Sequence, residues 1–183
     1  NKNLKIFKII SQVAHDRGQS VYVVGGYVRD LLLRRKSPTD IDFVTESSGI
    51  ELAQAVAKSI NPETKVSIFK TYGTAMFRYE NLELEFVGAR KESYSADSRN
   101  PQVEQGTLED DQKRRDFTVN AMAISLNKDN FGELIDPFNG MEDMEQRILR
   151  TPLEPVQTYS DDPLRMMRAI RFASTLGFSI EQK

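Results

Sequence analysis

Cysteine is absent from this chain of 183 residues. Disulfides and thiolate metal sites are therefore excluded, and the usage is compatible with the cytoplasm, which is the expected location. Histidine is nearly absent as well. His15 stands alone, so no zinc site of histidines can form, and it reads as an ordinary surface or packing residue. No apolar run approaches the ~20 residues that would span a bilayer as a helix. The opening NKNLKIFKII lacks the apolar core and cleavage site of a secretory signal. An excess of basic charge is also missing: the net charge of −2 is not the footprint of a surface devoted to gripping nucleic acid. Any long RNA surface must be a local patch or lie beyond Lys183. No G-x-x-x-x-G-K-[ST] occurs, and the double glycine lacks the third glycine of a dinucleotide fingerprint, which weakens P-loop and Rossmann readings.

What is present describes a water-compatible globular chain, 39% hydrophobic and 28% charged. It is long enough for one α/β domain with a short extension and an ample core. Its most informative stretch is VYVVGGYVRDLLLRRKSPTDIDFV, Val21 to Val44, read as strand, double-glycine turn, helix, strand. A Gly-Gly turn lets backbone N–H groups approach a phosphate closely. Asp40 and Asp42 project from one strand face while Ile41 and Phe43 turn into a core. Two carboxylates about 6–7 Å apart along one face repel unless protonated or bridged by cations. Mg²⁺ ions on a triphosphate suit them, because this hard ion binds one or two carboxylates plus substrate phosphates. Alone, each feature has a plain reading, a tight turn or a solvated strand face; it is their order and close spacing that point to phosphate chemistry.

Helical spacing of Ile6, Phe7, Ile10, Val13 and Ala14 predicts a helix from Leu4 to Arg17, stopped by Gly18. Glu51 to Ile60 predicts a second, and Asn61-Pro62 breaks it. Val66–Phe69, Thr74–Tyr79 and Leu82–Val87 read as strands, the last two joined by a turn at Glu80-Asn81. Glu92 to Lys113, polar and poor in apolar residues, reads as a mobile loop. A short helix then starts at Asp116, strands follow near Met122–Leu126 and up to Ile135, and Met141–Leu149 reads as a helix. Ser160–Leu176 is the strongest helix, and Ser179-Ile180-Glu181 is expected to begin another in a longer protein.

In LELEFV, Glu85 faces away from Leu84 and Phe86, so it joins Asp40 and Asp42 if its strand lies beside theirs. Asp116 after Arg114-Arg115 can be a helix N-cap, and arginine there can also offset phosphate charge. Asp162 and Arg165, three apart on a predicted helix, share a face. Such a pair is a surface ion pair worth a few tenths of a kcal/mol, about 0.3, or a base reader. Cytosine and adenine each present an amino donor beside a ring-nitrogen acceptor, which a carboxylate and a guanidinium match. Guanine and uracil reverse both and leave mismatched polar groups. Arg168 and Arg171 continue the helix and read as backbone contacts, packing or orienting partners.

GGYVRD, DIDF, RRDFTVNAMA, DPFNG and SDDPLRMMRAIRFA, in this order, resemble the motifs of class II tRNA nucleotidyltransferases (CCA-adding enzymes) and the similar bacterial poly(A) polymerases. The resemblance covers about Val21 to Phe178. It implies an α/β (α+β) fold: a polymerase-β-like head with a mixed sheet of about five strands flanked by helices over 1–150, then the start of an all-α neck over 151–183. It implies that Asp40 and Asp42 bind two Mg²⁺ ions and that Glu85 is the third acid. Gly25, Gly26 and Arg29 would contact the triphosphate; Arg115, Asp116, Asn120 and Arg168 would help hold the nucleotide. The 92–113 segment resembles the family's flexible loop. Its usual Glu-Asp-x-x-Arg appears here with Asp161 in first place, ahead of Asp162 and Arg165. The implied reaction adds C and A from CTP and ATP to the 3′ end of tRNA, without membrane or protein partner. Poly(A) tailing, partial CC or A addition, and a non-catalytic nucleotide-binding module remain alternatives.

Overall fold

The computed structural model describes residues 3–36, 38–93 and 102–182. Leu4–Asp16 (α1) is a helix because Ile6, Phe7, Ile10 and Ala14 fall on one buried stripe. Tyr22–Val24 (β1) leads through Gly25 into Gly26–Leu32 (α2) and then Asp40–Thr45 (β2), which pairs antiparallel with β1 and sets Val24 opposite Asp42. Ser48 caps Gly49–Ile60 (α3), its hydroxyl accepting from the Glu51 N–H at 3.2 Å. Ser67–Phe69 (β3), Thr74–Tyr79 (β4) and Leu82–Gly88 (β5) form a meander, and β5 closes on β2 in parallel.

The apparent loop that follows is partly built. Arg90–Ser93 (β6) and Gln102–Gln105 (β7) pair antiparallel, and Leu108–Lys113 (α4) is helical. The expectation of a loop over Glu92–Lys113 is corrected to that extent; residues 94–101 lie outside the described residues. The missed signal is Thr107 with Asp110, a reciprocal capping box. Glu46 adds to it by accepting from the Leu108 N–H at 2.8 Å. Ala123–Ser125 (β8) and Leu134–Ile135 (β9) complete the sheet, in the order β3-β4-β5-β2-β1-β8-β9. Its seven strands exceed the five implied by resemblance because the short β3 and β9 extend the two edges.

Gly140–Gln146 (α5) is shorter than the helix expected to Leu149: Arg147 turns to φ +57° and Ile148–Leu149 (β10) is extended. Pro155–Asp161 (α6) and Leu164–Leu176 (α7) replace the single helix expected from Ser160. Pro163 is the reason, since the residue before proline avoids helical geometry and Asp162 sits at φ −148°, ψ 98°. Ser179–Ile180 (β11) is not the start of a helix but pairs in parallel with β10. Residues 151–182 are thus not wholly helical. Among the described residues no helix is long and apolar enough to cross a membrane.

One core runs beneath the sheet. Ile41 and Phe43 of β2, Leu84 and Phe86 of β5 and Phe77 of β4 meet α1 and α3 there. Phe43 stacks on Phe86 at 4.7 Å between ring centroids, and Phe86 on Phe77 at 5.8 Å. Each such ring contributes about 1.5–3 kcal/mol by leaving water. Phe117 and Phe172 extend the same cluster into α7.

DPFNG proves to be a clamp. The Asp136 carboxylate caps α5, accepting from the N–H groups of Gly140 and Met141 at 2.7 and 2.9 Å. Gly140 is pressed so closely on the turn at Thr118–Asn120 that a Cβ would lie 2.5 Å from the Thr118 carbonyl oxygen. Gly140→Ala should therefore cost about 1–3 kcal/mol of stability. The measurement is a urea titration, where a lower midpoint at constant slope is expected and an unmoved midpoint contradicts the tight packing.

Candidate active site

Alternation along β2 places Asp40 and Asp42 on the sheet face opposite the stacked phenylalanines, and both are exposed. The parallel register sets Glu83 across from Asp40 and Glu85 across from Asp42. Glu85 is exposed too, so four acids, Asp40, Asp42, Glu83 and Glu85, meet on one face of two strands. Although the residue keeps solvent access, the protein packed around the Asp42 carboxylate strips part of its hydration and raises its pKa from the ordinary value; Arg115 opposes this, while the charges of Asp40 and Asp111 add to it. Glu85 is raised by burial first and then by Asp42 and Glu83. Like charges crowded beside a protein wall are what a cation relieves.

Among the described residues no group of three or more His, Cys, Asp or Glu is arranged to hold a metal ion. The pair Asp40 and Asp42 still fits Mg²⁺ by donor chemistry, being all oxygen and leaving positions for phosphate and water.

Facing the acids is a cationic wall. Gly25 starts α2 at φ +74°, a conformation that side-chain-bearing residues rarely adopt. A Cβ there would stand 3.1 Å from Arg115 Nη1 and 3.7 Å from Asp42 Oδ2, so the bare backbone lies between a guanidinium and a carboxylate. Gly26 is next to Arg29. Gly25, Gly26, Arg29, Asp40, Asp42, Arg115, Asp116, Asn120, Arg168 and Arg171 all line one cleft of about 340 Å³. A hollow of about 420 Å³ between α1 and the β4–β5 turn has no such convergence of acids and guanidinium groups.

Behind the wall runs a fixed network. Buried Arg29 donates to Asp30 at 2.8 Å and to the Asn120 side-chain oxygen at 2.7 Å. Asn120 donates onward to Asp116 at 3.0 Å, and Arg168 of α7 reaches the other Asp116 oxygen at 2.7 Å. The Phe117 N–H closes the set on Asp116 at 2.8 Å. Asp116 is thus a hub tying α2, the 118–120 turn and α7 together; charge-assisted bonds of this kind are about twice as strong as neutral ones. The turn is held from below by Asp143, which accepts from the Thr118 hydroxyl at 2.6 Å and from Arg150 at 3.0 Å.

Three expected residues stand outside the cleft lining. Glu85 is beside Asp42 but does not line it. Asp162 is not on the helix that carries Arg165, because Pro163 separates α6 from α7. Its carboxylate instead accepts from the Leu164 N–H at 3.0 Å, and Arg165 donates to the carbonyls of Thr158 and Arg114. The shared helical face expected of the pair is absent. Two residues went unread in the sequence. Asp111, buried in α4, holds Arg115 at 2.9 Å; the Asp-x-x-x-Arg spacing was legible, but only in a segment recognised as helical. Phe172 lies under three guanidinium groups, which its place in an arginine-rich helix alone does not disclose.

The sheet and its covering helices are those of a polymerase-β-like head. The chain belongs to the poly(A) polymerase head-domain family, whose pattern matches residues 21–150. An A-adding tRNA nucleotidyltransferase of Aquifex aeolicus (strain VF5) is 44% identical over 161 residues, covering 88% of this chain and 19% of that protein. A CCA-adding enzyme of Lactobacillus helveticus (strain DPC 4571) is 39% identical over 176 residues, covering 95% and 41%. Among solved structures, a tRNA nucleotidyltransferase complexed with a primer tRNA and an incoming ATP analog matches with a TM-score of 0.82 at 40% identity, over 94% of this chain and 46% of that one. A CCA-adding enzyme in apo form II matches with a TM-score of 0.87 at 36% identity, over 100% and 42%. The chain spans less than half the length of each of these relatives.

The raised carboxyls have a consequence for stability. The folded state binds the Asp42 proton more tightly than the unfolded chain does. The stability from this source is fully present below the unfolded pKa and is lost as pH rises through the folded one. In metal-free buffer Asp42→Asn should therefore raise the melting temperature at pH 7. The advantage should fade as pH falls below about 4, the unfolded carboxyl range. A variant no more stable than the parent at neutral pH would show that Asp42 bears no electrostatic strain.

Proposed function

We propose that the full-length protein is a metal-dependent nucleotidyltransferase that adds C and A to the 3′ end of tRNA, using CTP and ATP without a nucleic-acid template, in the cytoplasm. One observation carries this reading: Asp40 and Asp42 share a single cleft with the bare turn at Gly25 and the side chains of Arg29, Arg115 and Arg168. The relatives' activities, CCA-adding and A-adding, support tRNA as the acceptor. The head would extend over 1–150 and the neck begin at 151.

Asp40 and Asp42 would hold Mg²⁺, which when bound offsets triphosphate charge and acidifies an RNA 3′-hydroxyl. The hydroxyl attacks the α-phosphorus in line, and pyrophosphate leaves. Arg29, Arg115 and Arg168 balance the charge on the phosphates, Asp116 and Asn120 hold those cations in place, and Gly25 with Gly26 leaves room for phosphate against backbone. Glu85, with its pKa raised beside Asp42, is suited to take the proton of the attacking hydroxyl. Base choice is assigned to Asp162 and Arg165 on chemical grounds. Arg165 would exchange its two carbonyl acceptors for the ring nitrogen of C or A, and Asp162 would accept from the amino group.

Addition of A alone is the second reading, favoured by the 44% identity to an A-adding enzyme. Incubating the full-length protein with tRNA lacking its 3′ end and each labelled nucleotide separates the two. C followed by A, stopping at three, supports CCA addition; A incorporated only onto a CC end supports the second; long A tails on generic RNA identify a poly(A) polymerase. Asp40→Ala/Asp42→Ala should abolish transfer with an unchanged circular dichroism spectrum. Mg²⁺-dependent incorporation by that double variant would falsify the metal assignment. In the same assay Arg165→Ala should erase the preference for C and A over G and U.

A further inference from the structure

Just past the far end of β2 stands an acid that the transfer reading leaves unused. Glu46 is half-buried and does not line the cleft, yet both of its carboxylate oxygens are engaged. One accepts from the Leu108 N–H at 2.8 Å and the other from the Ser20 hydroxyl at 3.3 Å. Its backbone carbonyl accepts from the Gln105 side-chain amide. These bonds pin the start of α4 to the exit of β2. Just beyond the other end of α4 comes Arg115, held at 2.9 Å by Asp111 of that helix. A helix of six residues is too short to stand alone in water, so its anchors decide where Arg115 sits.

The dimensions close. The strand from Asp42 to Glu46 spans about 13 Å by its rise per residue, and the helical path from Leu108 to Arg115 about 10 Å. Strand and helix are matched sides of one frame, with Glu46 at one corner and Arg115 beside Gly25 and Asp42 at the other. Leu108, packed with Val24 and Val44, fills the space between them. Gln112 steadies the second half of α4 by donating to the carbonyls of Ala121 and Ile135. The capping box of Thr107 and Asp110 is internal to the helix; Glu46 ties that first turn to the sheet.

We propose that Glu46 is a positioning residue for nucleotidyl transfer, holding the Arg115 guanidinium against the Gly25 turn through α4. The proposal rests on the nucleotidyl-transfer reading above. Glu46 touches no substrate in that reading. It acts through the placement of α4, and the Leu108 N–H requires an oxygen at the right reach more than it requires a charge.

The test uses the full-length protein with Glu46→Ala, Glu46→Asp and Glu46→Gln, each alone and combined with Arg115→Ala. Transfer is measured with nucleotide varied at saturating tRNA, then with tRNA varied at saturating nucleotide. Glu46→Ala should raise the nucleotide KM about fivefold and leave the tRNA KM within about twofold. Glu46→Asp keeps the charge but not the reach, so it should shift the nucleotide KM in the same direction. It carries the test should Glu46→Ala fail to fold. Glu46→Gln retains an oxygen at the original reach and should stay within about twofold of wild type. In the Arg115→Ala background none of the three should move the nucleotide KM by more than about twofold, because the group they position is gone. Equal losses in both backgrounds, or a lower melting temperature with an unmoved nucleotide KM, would leave Glu46 a merely structural role and overturn the proposal. An active wild type that Arg115→Ala changes by less than about twofold removes this proposal and leaves the roles of Asp40 and Asp42 standing. A wild type that transfers no nucleotide removes the transfer reading and this proposal with it.

Discussion

The parallel pairing of β2 with β5 is the constraint on which the site depends. A strand has only two faces, and β2 uses both: Ile41 and Phe43 in the core, Asp40 and Asp42 in the cleft. Its register with β5 brings Phe86 onto Phe43 and, on the reverse, Glu85 beside Asp42. A slip of one residue would exchange the two sets, burying carboxylates and exposing phenylalanines. The apolar stack therefore fixes where the acids stand. Crowded carboxylates are tolerable because the register that crowds them is held from the other side of the same strands.

The opposing wall obeys a different rule. Arginine side chains are long, and holding several near one another costs both entropy and repulsion. Here each of three is anchored by a carboxylate that does not itself line the acidic floor: Asp30, Asp111 and Asp116. Buried Asp111 and Asp116 would be unfavourable alone, and buried Arg29 equally so. Paired, they convert flexible cations into a fixed positive surface, which is what lets a cleft stabilise a charged ligand without reorganising. The acid pair on β2 has no such ion-pair partner among the described residues, and the pKa of Asp42 is raised by burial first, with Arg115 opposing and Asp40 adding to the rise.

The legible part of this arrangement was the part written in local patterns. Alternation in DIDF and LELEFV, the turn chemistry of Gly25-Gly26 and the helical stripe of α1 each reflect a single element, and the structure forms each where the pattern lies. The illegible part depends on what elements do to each other. Helical periodicity ran through Asp162-Pro163, but proline's backbone restriction overrides apolar spacing, and the Asp162–Arg165 pair lost its common face. Ser179-Ile180 carries too few residues to choose a state for itself; pairing with β10 chooses it. The polar composition of 102–113 read as a loop, yet Glu46, more than sixty residues upstream, supplies a cap that no local reading contains.

The same logic bears on residues 151–182, which lie past the segment shared with the head-domain family. Arg168 neutralises buried Asp116, Phe172 supports Arg29 from below, and Glu181 beside β11 pairs with Arg150 at 2.6 Å. Cutting the chain at residue 150 would leave Asp116 with neutral donors only, and uncompensated buried charge of that kind costs about 3–5 kcal/mol. It would also take Phe172 and Phe178 out of the common core. The cleft is consequently not a property of the sheet alone. Its acidic floor comes from β2 and β5, but the rigidity of its cationic wall is supplied in part by α7, so anything that repositions α7 changes how firmly that wall is held.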